Sequence, residues 1–287
     1  MNDSAPSRSS GFGVWLLVVV IPLIAGLLLS LFIPQPVIGT INLNDAIYST
    51  TASDMISQIR YAHDHPEIKA VVLVLNTPGG TVTDTESVYM EIARLRQVKP
   101  VISVVEGMAA SGGYYLLSGT DYAFAKPSSE VGNIGVIGYL PPAPAVLEEV
   151  YSTGPYKLWG EPRDTFMREM EMLKQGFYTA VSLGRGSRLK APREVILRGQ
   201  IYPGSEALRM GLIDELGSVS QAYDKAAKLT HISNYRIEDL RTLAGVPTPP
   251  TNPLPLGFFR TKDGVSTGYP NNPGLYMLYI PNAEGQP

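Results

Sequence analysis

The chain has 287 residues, 44% of them hydrophobic, enough for one ample globular domain or two small ones with appendages. A net charge of −3, with both signs interspersed, gives no electrostatic case for a nucleic-acid partner. Cysteine is absent, which excludes disulfides and thiolate metal sites.

Phe12 to Ile33 (FGVWLLVVVIPLIAGLLLSLFI) is an uncharged apolar run of the length that spans a bilayer. Trp15 sits near one end, a common interfacial position, and Pro22 is tolerable in lipid. A cleaved signal peptide would have a shorter apolar core and a small-x-small cleavage site, whereas this run ends in IPQPVIG. The expectation is an uncleaved transmembrane anchor over 12–33, holding the protein to membrane lipid behind a short cytoplasmic segment, 1–11. Arg8 precedes the span and no Lys or Arg follows until Arg60. The positive-inside bias then leaves the N-terminus in the cytoplasm and the rest on the outer side of the cell membrane.

After the anchor the pattern is that of an α/β protein. VIGTINL (37–43) reads as a strand and Asp54 to Ala62 as a short helix. AVVLVLN (70–76) is a continuous β-branched run, as a strand buried on both faces requires. A helical stripe through Val88, Ile92 and Leu95 follows, then a second buried strand, PVISVV (100–105). DYAFAKP (121–127) and IGVIG (134–138) read as further strands. Residues 163–182 and 203–211 read as helices, and LIDELGS (212–218) as a turn into another. Strands alternating with helices predict a mainly parallel sheet with helical crossovers. From about Asn234 the chain becomes rich in Pro and Asn, which predicts a globular domain over 34–235 and an extended tail over 236–287.

A right-handed crossover from strand 70–76 through helix 83–97 to strand 100–105 puts both strand ends on one edge of the sheet, where open α/β folds bind ligands. Off these ends come two glycine-rich turns, NTPGG (76–80) and EGMAASGG (106–113), the second carrying Ser111. Glycines bring bare N–H groups close to a ligand. A serine beside converging N–H donors is the arrangement acyl transfer needs: the hydroxyl attacks a carbonyl and the donors hold the oxyanion. None of the three histidines lies near a motif. His63 and His65 fall before the first buried strand, as surface residues rather than a metal pair, and His231 falls in the C-terminal helix region. A serine–lysine pair is the remaining variant, and it needs a lysine that desolvation can render neutral. Lys126, Lys157, Lys174, Lys190, Lys225 and Lys228 are candidates; Lys157 is preferred for its apolar neighbours Tyr156, Leu158 and Trp159.

NTPGGTV, GMAASGGYY, PSSEVGNIGVIG, GPYKLWGEPR, GRGSR and LRGQIYPGSEALRMGLIDELG follow one another in the order of a known family. Over about Val37 to Ala227 the chain resembles the signal peptide peptidase A type of membrane-anchored serine endopeptidase, in the ClpP/crotonase fold group. The resemblance implies Ser111 as nucleophile, Lys157 as general base, and the backbone N–H groups of Gly80 and Gly112 as oxyanion donors. Choosing Gly80 over Gly79 rests on the resemblance. In the family a serine that orients the lysine usually stands where this chain has Asn133; the amide oxygen of Asn133 can accept from the amine in its place. The resemblance further implies peptide substrates such as cleaved signal peptides, no cofactor and no metal, and a ring-forming homo-oligomer whose neighbours help complete each site. A substrate groove is expected near Val136, Ile137 and Leu140.

Two other classes share these glycine turns. A crotonase-like enzyme would use them to hold an acyl-coenzyme A thioester but has no need of Ser111 with Lys157. A catalytically inactive, ring-forming membrane scaffold would keep the fold without the chemistry. The tail carries LPLGFF and LYMLYI, apolar patches that a free tail would expose. It is expected either to lie on the catalytic domain as a strand-like ligand, limiting access or being trimmed, or to remain a plain surface tail.

Overall fold

The computed structural model describes residues 13, 15–30, 35–140, 151–154, 156–157, 160, 162–248, 259–262 and 265–280. At the N-terminal end a π-helix, Leu16–Val20, runs into an α-helix, α1 (Ile21–Ser30). Trp15, Leu17, Val18, Leu23 and Leu27 are exposed along it. Among the described residues no helix is long and apolar enough to cross a membrane. Phe12, Val14 and residues 31–33 of the expected span lie outside the described residues.

The rest of the chain alternates as the pattern predicts. β1 (Val37–Leu43) leads through α2 (Ser49–Asp64) to β2 (Ile68–Thr77). A short β3 (Gly79–Thr81) enters α3 (Val82–Leu95), and β4 (Val101–Ala110) enters α4 (Gly112–Ser118). β5 (Tyr122–Ala125), β6 (Glu130–Gly132) and β7 (Ile137–Tyr139) follow. Next come α5 (Arg163–Arg185), α6 (Arg193–Ile196), β8 (Ile201–Pro203), α7 (Gly204–Met210), β9 (Glu215–Leu216) and α8 (Val219–Thr230). The chain closes with β10 (Arg236–Asp239), α9 (Leu240–Leu243), β11 (Phe259–Lys262), β12 (Val265–Pro270) and β13 (Gly274–Leu278).

The main sheet has the order β10-β1-β2-β4-β5-β9, with every neighbouring pair parallel. β2 shows why the run is continuous rather than alternating. Val71, Leu73 and Leu75 join one core under α2, α3, α4 and α5, whereas Ala70, Val72 and Val74 join another under α8. Both faces are covered, so both parities must be apolar. α3 starts where Thr81 accepts from the Asp84 N–H, and it buries Val88, Ile92 and Leu95. The upper half of β4 leaves β5 and pairs with β6 instead, Ala110 opposite Gly132, and β8 runs antiparallel on the far side of β6.

Three elements differ from expectation. The helix expected from Asp54 begins at Ser49, where the Tyr48 N–H donates to Thr51 Oγ1 at 2.9 Å, a cap without the usual residue at its head. The strand expected over 134–138 is displaced: a strand ends before it at Gly132 (β6), where Gly132 and Asn133 take positive φ values of 120° and 54°, residues 134–136 are not strand, and only 137–138 fall in β7. The tail expected from 236 begins with an edge strand of the main sheet, β10, followed by α9, whose Leu240 is buried against Gly39.

Candidate active site

β4 delivers Ser111 to the carboxyl edge of the sheet. Ser111 is buried and takes φ 52°, ψ −115°, a backbone region that L-residues rarely adopt. The turn is pinned on both sides: the Ser111 N–H donates to the Gly132 carbonyl at 2.8 Å and the Ser111 carbonyl accepts from the Tyr115 N–H at 2.9 Å. Such a conformation costs about 1–3 kcal/mol and persists where surrounding structure over-determines it, as at a presented nucleophile. No hydrogen bond of its hydroxyl is formed among the described residues, and the next seven residues, α4, are buried throughout.

The two glycine turns meet at this point. A Cβ on Gly79 would lie 2.6 Å from the Gly112 nitrogen, and one on Gly113 would lie 2.6 Å from Thr77 Cγ2. Gly79 itself has φ 94°, and its N–H donates to Thr77 Oγ1 at 3.2 Å. Gly80 backs onto Ile47, whose carbonyl oxygen would be 1.8 Å from a Cβ there. Side chains are thus excluded on steric grounds at Gly79, Gly80 and Gly112, the last by Thr85 Oγ1 at 2.8 Å, which leaves glycine backbone facing the space between the two turns.

That space holds a strand from the chain's own C-terminal region. β13 runs antiparallel between β3 and β7, pairing Met277 with Gly80 on one side and Tyr276 with Ile137 on the other. The Tyr279 N–H donates to the Pro78 carbonyl at 2.7 Å. Alternation along an antiparallel ladder then makes Met277 and Gly80 a hydrogen-bonding pair, with the Gly80 N–H directed at the Met277 carbonyl. The same oxygen lies 2.0 Å from where a Gly79 Cβ would be and 3.1 Å from where a Gly112 Cβ would be. A peptide carbonyl therefore sits between the two turns. Sequence reasoning placed the glycines and noticed the apolar LYMLYI patch, but not Gly79 as the residue that must lack a side chain. The signal for it is the glycine pair itself, where the second glycine seats the carbonyl and the first leaves room for it. Of the residues expected to line a substrate groove, Ile137 packs with Tyr276 and Leu278 beside this slot, Val136 packs on the main core, and Leu140 is exposed.

Asn133 follows Gly132, the residue that holds the Ser111 N–H. Its N–H donates to Gln200 and its Nδ2 to the Gly199 carbonyl, each at 2.7 Å, so its Oδ1 is the end left to accept. Lys157 lies on a helical turn with Tyr156, its N–H donating to Gly154 at 3.2 Å. Tyr156 and Lys157 are both exposed, and the Lys157 side chain forms no ion pair among the described residues. Leu158 and Trp159, expected as its apolar neighbours, lie outside the described residues. Other candidate lysines are committed elsewhere: Lys126 to Glu106 at 2.7 Å, Lys174 to Glu171 at 2.5 Å, and Lys225 above the Tyr122 ring at 3.6 Å. His63 bonds Asp64 and His65 stacks on Tyr61, at the amino end of β2 and away from the serine, as expected. His231 caps the end of α8.

Behind α4 a buried network holds the turn in place. Tyr114 donates to the Leu212 carbonyl at 3.0 Å, and burial pushes its hydroxyl pKa up. Tyr115 meets Tyr89 and Phe177 edge-on, and burial pushes it up to about 12. Arg185 grips both oxygens of Asp214 at 2.9 Å and the Gly211 carbonyl, while Arg188 and the Ala123 N–H complete the carboxylate's partners. Burial alone would raise the Asp214 carboxyl, but Arg185, the Ala123 N–H and Arg188 outweigh it and hold it below the usual carboxylate range.

The sequence model of peptidase family S49 matches residues 93–233, and that of Clp protease matches 38–131. The chain is 32% identical over 208 residues to Protease 4 of Haemophilus influenzae, covering 67% of this chain and 34% of that one. It is 30% identical over 227 residues to a putative protease of Methanocaldococcus jannaschii, covering 71% of this chain and 73% of that one. It is 28% identical over 215 residues to a putative signal peptide peptidase SppA of Enterococcus faecium, covering 66% of this chain and 62% of that one. The chain spans about a third of the length of its Protease 4 relatives.

Proposed function

The chain belongs to peptidase family S49, and on that footing we propose that it is a serine endopeptidase with Ser111 as nucleophile and Lys157 as general base. The observation that carries the reading is the strained, buried Ser111 beside a slot in which a strand carbonyl lies between the Gly79–Gly80 and Gly112 turns. A substrate strand in that slot would present its carbonyl to the hydroxyl, with the N–H groups of Gly80 and Gly112 holding the oxyanion. Lys157 takes the hydroxyl proton and returns it to the leaving amine, and Asn133 Oδ1 orients the lysine amine. The exposure of Lys157 in the single chain supports a homo-oligomer in which a neighbour completes the pair. The exposed apolar helix over 15–28 supports a bilayer anchor, with the N-terminus cytoplasmic and the catalytic domain outside. Substrates are then peptides at the membrane, such as cleaved signal peptides.

The test is kcat/KM on an apolar reporter peptide. Ser111→Ala and Lys157→Ala should each abolish turnover, by more than about 10⁴-fold, because members of one catalytic unit are not additive. Lys157→Arg should not restore it, since arginine stays protonated. Turnover near wild type in Lys157→Ala removes that lysine from the mechanism.

A further inference from the structure

One buried side chain touches both glycine turns. Thr77 ends β2, is wholly buried, and lies opposite Ala109 of β4, two residues before Ser111. We propose that Thr77 is the positioning residue of the oxyanion hole, holding the Gly79–Gly80 turn with its hydroxyl and bracing the Gly112–Gly113 turn with its methyl. This rests on Ser111 being the nucleophile and on Gly80 and Gly112 being the donors. Thr77 Oγ1 accepts from the Gly79 N–H at 3.2 Å across Pro78, a short turn closed by a hydroxyl. Thr77 Cγ2 lies 2.6 Å from where a Gly113 Cβ would be.

The Gly80 N–H can hold an oxyanion only if the peptide that carries it faces the slot. That peptide is trans, so its N–H points opposite to the Gly79 carbonyl. The Gly79 carbonyl accepts from the Ile47 N–H at 2.8 Å, which turns the Gly80 N–H away from Ile47. Gly79 is the pivot between this peptide and the one before it. A glycine at φ 94° offers little resistance of its own to rotation. Thr77 supplies the resistance by tying down the preceding N–H. With both peptides that flank Gly79 anchored, the donor is aimed before a substrate arrives, as transition-state stabilisation requires.

The methyl explains why the residue is threonine. A β-branched side chain is stiff at χ1, and Cγ2 against Gly113 blocks the rotation that would swing Oγ1 off Gly79. The same contact sets the distance to the first turn of α4, whose Gly112 N–H is the second donor. Both donors are thus referred to one buried side chain.

The test separates aim from stability. Thr77→Val keeps the shape and removes the acceptor, so kcat on a reporter peptide should fall roughly tenfold, with a smaller change in KM. A peptide aldehyde adds to the Ser111 hydroxyl and places its oxygen in the hole, whereas the matching alcohol cannot. Thr77→Val should therefore weaken the aldehyde by roughly the same tenfold and leave the alcohol within about twofold. Thr77→Ser keeps the acceptor and should stay within roughly threefold of wild type. Gly113→Ala, whose Cβ meets Cγ2, should lower kcat, and adding Thr77→Ser should restore part of that loss. Wild-type kcat in Thr77→Val overturns the proposal, as does equal weakening of aldehyde and alcohol, which would make the residue structural only. If a thermal melt shows Thr77→Val unfolded, the Gly113 pair decides, and purely additive losses overturn the proposal. Turnover in Ser111→Ala removes the nucleophile and this inference with it. An inactive Ser111→Ala beside a fully active Thr77→Val removes this inference alone.

Discussion

Gly79→Ala separates backbone strain from the seating of the carbonyl. The residue has φ 94°, so an alanine there carries a left-handed penalty of about 1–2 kcal/mol wherever it sits. Its Cβ would in addition lie 2.0 Å from the carbonyl oxygen in the slot and 2.6 Å from the Gly112 nitrogen. Neither atom can yield cheaply, because both are backbone at the centre of the site. To regain ordinary contact, the carbonyl must retreat by about 1 Å, and a shift of that size takes it out of hydrogen-bonding range of an oxyanion donor. Loss of one such donor lowers kcat by roughly 10²–10³-fold, which is the drop in kcat/KM expected for Gly79→Ala on a reporter peptide. Gly245→Ala is the control. Gly245 has φ 64° with nothing within 4 Å of a Cβ, so it should show the strain penalty in a thermal melt and no loss of kcat/KM. If Gly79→Ala matches Gly245→Ala in both melt and kinetics, the carbonyl seat between these turns is not where catalysis occurs.

Two further outcomes follow from the surroundings of the site. Asp214→Asn leaves the buried Arg185 without its charge partner and should lower stability by about 3–5 kcal/mol near neutral pH, measured by urea unfolding. The folded-state pKa of Asp214 is depressed, so its contribution is present above the unfolded carboxyl's pKa and is lost as pH falls through the folded value; the gap between variant and wild type should therefore narrow below pH ~4. Asn133→Gly keeps the φ of 54° accessible while removing the amide, and should lower kcat/KM by roughly fivefold, the value of one hydrogen bond of about 1 kcal/mol. Asn133→Ala adds backbone strain to that loss, so a melt that is equal for the two variants would contradict the strain assigned to this position.

The parts of the fold read correctly from sequence are those whose cause is local. β2 and β4 announce themselves because burial on both faces forces consecutive apolar residues, and α3 because Val88, Ile92 and Leu95 fall on one stripe. The turn at Ser111 was legible because glycines crowd where side chains cannot go. β10 was not, since an edge strand whose four residues are exposed or half-buried carries no hydrophobic signature, and its pairing with β1 is set by chain some 200 residues away. β13 was half legible. Its apolar patch, LYMLYI, stood out against the Pro- and Asn-rich tail, while its register on Gly79–Thr81 depends on a partner almost as distant in sequence. The exposure of Lys157 was illegible for a related reason: local apolar neighbours say nothing about which face of a turn reaches the core.

β13 does more than fill a gap, because the two strands it joins belong to different halves of the site. β3 leads from Gly79 into α3 and abuts the Ser111 turn, while β7 follows the Asn133 loop. β7 is in turn locked to α5: a Cβ on Gly138 would lie 2.6 Å from the Phe166 ring and 2.8 Å from Met170 Sδ. Both residues lie at the start of the helix that follows the Lys157 segment. β3 and β7 are only three residues each and share no pairing except through the strand between them. Too short to invite stray association, two such edges still offer a complete set of backbone partners to one extended peptide. Any strand in that position, the chain's own or a substrate's, therefore ties the serine turn to β7 and, through Gly138, to the start of α5. Peptide binding and the bridging of the two halves are the same event.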